Sequence, residues 1–275
     1  YPPPKGISEI MGLEASGTIA ALGEGVSQWK EGDEVVALLA GGAYAEYFVV
    51  PATQCVRPPE GVDLVTAAGL VEVAATVVSN MDEVQLAQGE TFLVHGGAGG
   101  IGTFAIQYAK ALGARVITTA GSPEKLDHCR ELGADLALDY HDDWAARVAE
   151  ATQGRGVDVI LDVIGAKYLE ANVGALALDG RLVVIGLQRG RKGELDLGAL
   201  LAKRASVHGT TLRARPLDEK AAIMAAVREE VWPLVVDGTI TPVVHATFPL
   251  EDAQQAHEAV RSGSPFGKVV LVCHG

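Results

Sequence analysis

Apolar and polar positions follow two different rhythms along this chain of 275 residues. Up to about residue 60, short apolar runs such as "GDEVVALL" and "AYAEYFVVP" are separated by Gly and Pro. Valines and tyrosines between closely spaced turn residues predict short antiparallel strands of an all-β unit. Between residues 60 and 88, a long run of mostly small and apolar residues predicts a helix.

From residue 91 onward, apolar runs of strand length alternate with segments of helical periodicity. Such alternation is typical of a doubly wound parallel sheet covered by helices. A further helix is predicted around residues 218–236, and the last thirty or so residues predict a strand, a helix and a strand that return to the first unit. The predicted strands of the sheet cover residues 91–95, 115–119, 135–138, 157–161, 181–185 and 206–211, with helices at 101–112 and 123–132 among them.

A glycine-rich stretch, "GGAGGIG", follows the first of these strands and opens a helix. It contains the spacing G-x-G-x-x-G at Gly97, Gly99 and Gly102, which alone is a weak signal in a chain with 33 glycines. The strand before it and the helix after it make it specific for a dinucleotide. We expect Gly97 to allow the tight turn, Gly99 to let the pyrophosphate approach the backbone, and Gly102 to let the helix pack on the strand.

The end of the second strand indicates which dinucleotide binds. NAD-binding proteins place an Asp or Glu there, about 20 residues after the glycines, to bond the ribose hydroxyls. This chain has "TTAGSPEK" instead, with a hydroxyl at Ser122 and a cation at Lys125. Ser122 acting as a simple helix N-cap and Lys125 as a solvated surface lysine are the alternatives. The presence of both Ser122 and Lys125 where the acid is missing favours the 2′-phosphate of NADPH.

Composition excludes several classes of partner. The net charge is −13, and both nucleic acid and an anionic membrane surface require a basic face. No apolar run stands out as a membrane span, and no leader is recognisable. The three cysteines, Cys55, Cys129 and Cys273, are isolated from one another, which predicts unpaired and buried thiols in a reducing cytoplasm.

Catalytic machinery is sparse in the sequence. The seven histidines are scattered, no cysteine cluster has zinc-ligand spacing, and no G-x-S-x-G motif is present. A nicotinamide site with little acid–base chemistry favours direct hydride transfer to an acceptor that is already electrophilic, such as a quinone or an activated alkene.

These features together resemble the zinc-free quinone oxidoreductases of the medium-chain dehydrogenase/reductase superfamily. The similar stretches run through the whole chain and include "GLEASGTIAALG", "LVHGGAGGIG", "TAGSPEKL", "VDVILDVIGAKY", "LDGRLVVIG" and "GKVVL". The resemblance implies an α/β fold with a Rossmann domain over residues 74–212. A GroES-like, mostly β substrate domain would take residues 1–73 and 213–275. Leu13 replaces the zinc-binding histidine of the zinc-dependent relatives.

The resemblance also implies roles for particular residues. The glycine loop would bind NADPH, Ser122, Lys125 and Tyr140 would surround the 2′-phosphate, and two further glycines would line the nicotinamide half. Thr76 would line the nicotinamide and substrate cleft, and Tyr1 would contact the quinone. The glycines implied are Gly99, Gly100 with Ile101 in the loop, and Gly165 and Gly186 after the fourth and fifth strands.

Three further expectations come from the same family. Its members begin roughly 45 to 50 residues earlier, so the substrate domain is expected to be incomplete at its N-terminus. They form homodimers through the last Rossmann strand, here "ASVHGTTLR". Three functions remain open: an NADPH-dependent quinone reductase, a reductase of α,β-unsaturated ketones or alkenals, and a truncated, inactive NADPH-binding protein.

Overall fold

The apolar runs before residue 60 form a three-stranded antiparallel sheet in the computed structural model, which describes residues 5–273. The central strand pairs with both neighbours, and its residues Val35 to Leu38 are buried. Antiparallel pairing in this part of the chain is therefore confirmed. The strands are β1 (Glu14–Thr18), β2 (Glu34–Leu38) and β3 (Cys55–Val56), in the order β1-β2-β3.

The apolar run "AYAEYFVVP" does not form the strand that its pattern predicts. The N–H of Tyr44 bonds to the carbonyl of Met11, but the side chains of Tyr47 and Val49 are 79% and 99% exposed. A strand is stable when a neighbouring strand takes its backbone hydrogen bonds and one face is buried. Within residues 5–273, this segment has no neighbouring strand.

The helix predicted between residues 60 and 88 is divided into two, α1 (Leu64–Ala67) and α2 (Val71–Val84). Asp63 caps α1 by accepting the N–H of Thr66. The stretch Leu64–Val84 has a mean hydropathy of 1.6, enough by length and composition to cross a membrane. However, 72% of its most apolar window is buried inside the protein, as in the core helix of a globular domain.

The second half of the fold is a six-stranded parallel sheet in the order β6-β5-β4-β7-β8-β9. This order is that of a Rossmann sheet, which confirms the predicted architecture. The predicted strands match within a few residues, except that β8 begins at Leu176 instead of residue 181. The strands are β4 (Thr91–His95), β5 (Arg115–Ala120), β6 (Leu136–Asp139), β7 (Val157–Asp162), β8 (Leu176–Val184) and β9 (Ser206–Gly209).

Helices connect these strands and cover the sheet, whose central strands are almost fully buried. The helices predicted at residues 101–112 and 123–132 are both confirmed. The connecting helices are α3 (Gly100–Ala111), α4 (Pro123–Glu131), α5 (Trp144–Ala151), α6 (Leu169–Ala175) and α7 (Leu197–Lys203).

The last sixty residues contain the predicted helix, strand, helix and strand. A π-helical turn, Val227–Val231, divides the predicted helix just before Pro233, whose ring cannot donate an N–H to a regular helix. Residues 5–79 and 212–273 form one compact unit, and residues 80–211 form the other. The elements are α8 (Leu217–Ala226), α9 (Trp232–Val236), β10 (Val244–Pro249), α10 (Ala253–Arg261) and β11 (Lys268–Val272), with β10 and β11 parallel.

Candidate functional site

The strand order of the Rossmann sheet reverses between β4 and β7, and the glycine-rich loop follows β4 at that point. Open α/β sheets bind ligands in the crevice at such a reversal, outside the carboxyl ends of the strands. Loops after β4, β5, β6, β7 and β8 therefore form the candidate dinucleotide site of this unit.

Each glycine of the loop has a distinct steric role. Gly96 carries the left-handed backbone, with φ of +74°, so the turn depends on a residue one position before the predicted Gly97. A Cβ at Gly97 would lie 3.0 Å from the sulfur of Cys129, and a Cβ at Gly102 would lie 2.5 Å from the Cα of Gly97. At Gly99, a Cβ would meet one neighbour, the Gly96 carbonyl oxygen, at 3.4 Å. Gly99 therefore borders open space, as a pyrophosphate requires.

The start of α3 supplies backbone donors to this space. Gly99 is its N-cap and has no side chain to satisfy the first N–H groups of the helix. Gly100, Ile101 and Gly102 form the first turn, whose N–H groups have no acceptor within an α-helix. Because these donors lie at the positive end of a 12-residue helix, they favour an anion beside the loop.

Ser122, Lys125 and Tyr140 all lie at the adjacent carboxyl ends of β5 and β6. Ser122 is the N-cap of α4, with its hydroxyl accepting the N–H of Lys125 at 3.3 Å. The N–H of Tyr140 bonds to the carbonyl of Ala120, and its ring, 45% exposed, lies where a Cβ of Gly121 would be. Ser122 therefore caps the helix as predicted, while its contact with a phosphate stays a prediction.

Gly165 and Gly186 bring the loops after β7 and β8 into contact. Gly165 has a φ of +83°, and a Cβ there would lie 3.1 Å from the carbonyl oxygen of Gly186. A Cβ at Gly186 would lie 2.5 Å from the carbonyl oxygen of Val163. Both glycines are needed for close packing of the two loops, at the edge of the sheet where they were expected.

A buried hydrogen-bond network, which we call the loop network, joins the glycine-rich loop to the loop of Gly165. Thr119 accepts the N–H of Gly96 at 3.4 Å, and its hydroxyl lies 3.1 Å from Nδ1 of His95. Nε2 of His95 lies 2.7 Å from Oδ1 of Asn172, whose Nδ2 donates to Asp162 at 3.2 Å. Asp162 also accepts the N–H groups of the turn after β7, those of Ile164 and Gly165, at 2.6 and 3.1 Å.

Burial shifts the acid–base properties of this network. It lowers the pKa of His95 to about 4, although the bond to Asn172 opposes the change. It also raises the pKa of Asp162 to about 6, against the effect of two backbone N–H donors. His95 is therefore neutral at neutral pH. Since Asn172 turns its amide N–H toward Asp162, its oxygen takes the proton of Nε2, and Nδ1 of His95 accepts from Thr119.

Thr76 lies in the other unit, on α2, where its hydroxyl donates to Oε1 of Glu72 at 2.9 Å. Glu14 accepts the backbone N–H of Glu72 at 2.8 Å and contacts the ammonium of Lys268. Burial raises the pKa of Glu72, with Lys268 opposing the change and Glu14 adding to it. Burial alone would lower the pKa of Lys268, but the carboxyl of Glu14, followed by that of Glu72, raises it.

Most members of the loop network and of the charged group around Glu72 were not predicted from sequence patterns. Tyr1, predicted at the quinone, lies outside the described residues. The loop network was missed because each member, taken singly, ends or follows an ordinary apolar element. Asp162 nevertheless closes the apolar run "VDVILD", and Glu72 is the only acid in the apolar stretch "LVEVAATVV". A lone acid in an apolar segment is a usable signal, since a carboxyl is rarely buried without a partner.

The family that the sequence resembles includes zinc-dependent members, so the side chains near the site decide whether a metal fits. Within the described residues, no three His, Cys, Asp or Glu side chains are placed to hold one. Glu14 and Glu72 are accompanied by the ammonium of Lys268, a cation that would repel a metal ion. The residues that the structure describes therefore do not fit zinc.

Comparison with known proteins agrees with the fold and the loop. The family described as "Alcohol dehydrogenase GroES-like domain" matches residues 1–60, and "Zinc-binding dehydrogenase" matches residues 100–228. A quinone oxidoreductase of Pseudomonas aeruginosa is 33% identical over 276 residues, covering 99% of this chain and 84% of that protein.

Two solved structures are also similar. The quinone oxidoreductase of Escherichia coli, complexed with NADPH, has a TM-score of 0.87 and 30% identity, covering 99% of this chain and 84% of that one. The JamJ enoyl reductase has a TM-score of 0.86 and 28% identity, covering 96% and 79%.

The fold and its glycine-rich loop thus define a dinucleotide-binding oxidoreductase with a Rossmann and a GroES-like domain. The chain belongs to the medium-chain dehydrogenase/reductase superfamily, among the quinone oxidoreductase-like proteins.

Proposed function

We propose that this chain is an NADPH-dependent reductase that passes a hydride to a quinone without a metal. The observation that carries the proposal is the edge of the Rossmann sheet. There, an open glycine position precedes a helix, and the neighbouring strand is followed by Ser122 and Lys125 with no acid at its end. The name and the NADPH ligand of the similar Escherichia coli structure support the same conclusion.

The residues would divide the binding of NADPH among them. Backbone N–H groups at Gly100 and Ile101 bind the pyrophosphate, while Ser122, Lys125 and Tyr140 surround the 2′-phosphate. Gly165 and Gly186 leave room for the nicotinamide half. When bound, NADPH supplies two electrons and one proton as a hydride.

Thr76 and Tyr1 would position the acceptor, because the family places residues of these types beside it. The proposed reaction uses no metal, because residues 5–273 do not fit zinc. Positioning of an acceptor that is already electrophilic then provides most of the catalysis.

The first test is oxidation of NADPH in the presence of an ortho-quinone. NADH serves as the cofactor control, and an α,β-unsaturated ketone as the acceptor control. Turnover of the quinone with NADPH is expected. NADPH binding with no turnover of either acceptor would instead identify an inactive binding protein.

A reductase of activated alkenes is the second candidate. It is favoured by the similarity to the JamJ enoyl reductase. Both candidates need a hydride and a positioned electrophile, so the Rossmann unit alone does not separate them. A kcat/KM that is higher for the enone than for the quinone would establish this second function.

The 2′-phosphate assignment predicts a selective effect of Lys125→Ala. A charge-assisted bond to the phosphate contributes about 1.5–3 kcal/mol, so affinity for NADPH should fall tenfold or more. Affinity for NADH should hardly change, because NADH lacks the phosphate. Titration calorimetry with both nucleotides measures the two effects.

Lys110→Ala is the matched control for this variant. Lys110 lies near the far end of α3, where it pairs with Asp135 at 3.0 Å. Its loss should leave both affinities unchanged. Equal weakening of NADPH and NADH by Lys125→Ala would contradict the assignment.

We also propose a cytoplasmic homodimer that acts on a small molecule and binds neither nucleic acid nor membrane. The free state of Cys55, Cys129 and Cys273 supports a reducing compartment. Cys129 is buried as expected, but Cys273 is exposed and Cys55 is intermediate.

A further inference from the structure

A partly buried charged group in the unit of Thr76, which we call the carboxyl cluster, has two carboxyls and one cation. Glu14 and Glu72 provide the carboxyls, and Lys268 provides the ammonium. If both carboxyls were ionised, the cluster would carry a net negative charge in a poorly hydrated place. Such a site holds a proton on one carboxyl, because two like charges and poor hydration both favour the neutral acid.

Contacts within the carboxyl cluster show which carboxyl is ionised. Glu14 contacts the Lys268 ammonium and accepts the backbone N–H of Glu72 at 2.8 Å, so both donors favour its charged form. Within residues 5–273, Glu72 makes no ion pair closer than 4.0 Å, and its side chain accepts a bond from the Thr76 hydroxyl. Glu72 is therefore the carboxyl that keeps the proton.

The backbone around the carboxyl cluster is shaped to hold Lys268. A Cβ at Gly69, just before α2, would lie 3.2 Å from Cβ and 3.3 Å from Cγ of Lys268. The absence of a side chain at Gly69 thus makes room for the lysine stem beside the start of the helix that carries Glu72 and Thr76.

We propose that Glu72 holds a proton at neutral pH and passes it through the Thr76 hydroxyl to the reduced acceptor. This inference rests on the proposed function. Reduction of a quinone to a hydroquinone takes two electrons and two protons, and a hydride brings two electrons and one proton. One proton must therefore come from elsewhere.

The O–H bond of Thr76 breaks as an O–H bond forms on the hydroquinone anion, and the carboxylic acid of Glu72 returns a proton to the Thr76 oxygen. Glu72 is left as a carboxylate and regains its proton from water before the next turnover. The 2.9 Å contact between the two oxygens serves either direction, because a hydroxyl both donates and accepts.

The pH dependence of turnover follows from the groups that face Glu72. These are Thr76 on its own helix, Glu14 on β1 and Lys268 on β11. Tyr44 lies beside Lys268 and is 3.2 Å from Nε2 of His257. Since the acid form of Glu72 is required, kcat should be constant at low pH and fall as pH rises through the raised pKa of Glu72.

Infrared spectroscopy of the protein without cofactor tests the proton directly. A spectrum at about pH 7 should show the C=O stretch of a carboxylic acid, at a pH where Asp162, with its pKa of about 6, is mostly ionised. Glu72→Gln should abolish this band. Thr76→Val should shift it, because a hydrogen bond to the acid is lost, and the exposed variant Glu60→Gln should leave it unchanged.

Glu14→Gln provides an independent test that does not alter Glu72 itself. With one carboxyl removed, Lys268 and Glu72 form a neutral ion pair, and the acid band should disappear. Persistence of the band in Glu14→Gln would overturn the charge argument. This variant and Thr76→Val keep the inference testable if Glu72→Gln fails to fold.

Kinetics then test the transfer. Glu72→Gln and Thr76→Val should each lower kcat about 10²-fold or more, the usual contribution of a general acid, with KM for NADPH changed little. Glu72→Gln should also lose the fall of kcat at high pH. Thr66→Val is the matched control. The Thr66 hydroxyl donates to Asp63 in the same unit, and its loss should leave kcat unchanged.

The outcomes that overturn the inference are distinct from failure of the proposed function. A wild-type protein without the acid band, an acid band that Thr76→Val does not shift, or an unchanged kcat in Glu72→Gln would each overturn it. A wild type that reduces no acceptor would overturn the proposed function, and the relay with it. In that case the infrared pattern would still show whether Glu72 holds a proton.

Discussion

At the scale of single residues, the loop network ties protonation to the geometry of the dinucleotide loops. His95 is fully buried between Trp144 and Tyr168, with ring centroids at 4.7 and 4.9 Å. Its neutral form donates to Asn172 and accepts from Thr119, whereas a protonated ring would have two donors and no acceptor. The loop network therefore requires a neutral histidine.

This requirement predicts how His95→Gln changes the pH dependence of stability. The unfolded chain binds a proton at His95 near pH 6.5, but the folded chain binds it only near its pKa of about 4. The wild type therefore loses stability as pH falls between these values. A shift of this size corresponds to about 3 kcal/mol, so the variant should gain about that much relative to the wild type between pH 7 and pH 4.

Urea unfolding of both proteins at several pH values measures this difference. Asp162 acts in the opposite sense, because its raised pKa of about 6 stabilises the fold as pH falls from 6 toward 4. The comparison cancels that effect, since Asp162 is present in both proteins. A pH-independent difference between wild type and His95→Gln would show that His95 is not buried in its neutral form.

At the scale of elements, the glycine-rich loop between β4 and α3 contains glycines of two kinds. One is required for folding and another for binding. Gly102 is required by the fold, because a Cβ there would overlap the backbone of Gly97. Gly99 has space beside it, so a methyl group would occupy the place of a ligand and not of the protein. The two positions of one motif therefore have different physical reasons for being glycine.

Gly102→Ala should accordingly lower mainly the stability of the protein, and Gly99→Ala mainly its affinity for NADPH. Gly102→Ala is expected to destabilise the protein by about 1–3 kcal/mol, the usual cost of forced overpacking. Gly99→Ala should cost at most about 1 kcal/mol, because it removes only a good N-cap residue, yet it should abolish NADPH binding. Thermal unfolding and nucleotide titration of the two variants distinguish these effects, and strong NADPH binding by Gly99→Ala would place the pyrophosphate elsewhere.

Helices and strands that are determined by nearby residues could be predicted from the sequence. The parallel strands and α3 and α4 were found because their apolar periodicity, caps and flanking glycines agree, as at Ser122 and Pro123. The strand predicted at residues 43–50 was wrong because a strand also needs a partner, which periodicity does not reveal. Contacts between residues far apart in sequence, such as Glu14 with Lys268, were likewise invisible to local pattern.

At the scale of the whole molecule, the proposed homodimer would use the edge strand of the Rossmann sheet. β9 pairs with β8 on one side and is the last strand of the sheet. Leu197 and Leu201 on α7 are 63% and 76% exposed, and Val207 on β9 is 38% exposed. Within the described residues, a strand at the edge of the sheet and exposed apolar side chains both favour association with another chain.

The dimer prediction can be tested with Leu201→Glu. The wild type should elute with twice the 28.6 kDa mass of the chain in size-exclusion chromatography with light scattering. Leu201→Glu should shift it to monomer, because a charge would be buried in the interface. Val260→Glu, which alters another exposed apolar residue, 57% exposed on α10, is the control and should remain dimeric.

Cys129 can serve as a chemical probe of opening in the nucleotide loop. Its sulfur is fully buried behind Gly97, and burial raises the pKa of its thiol to about 12, so a thiol reagent reacts only after the loop or α4 opens. The alkylation rate therefore measures how often the loop or α4 opens while the rest of the protein stays folded. A nucleotide bound across the loop should slow that rate, which would report occupancy without any measurement of turnover.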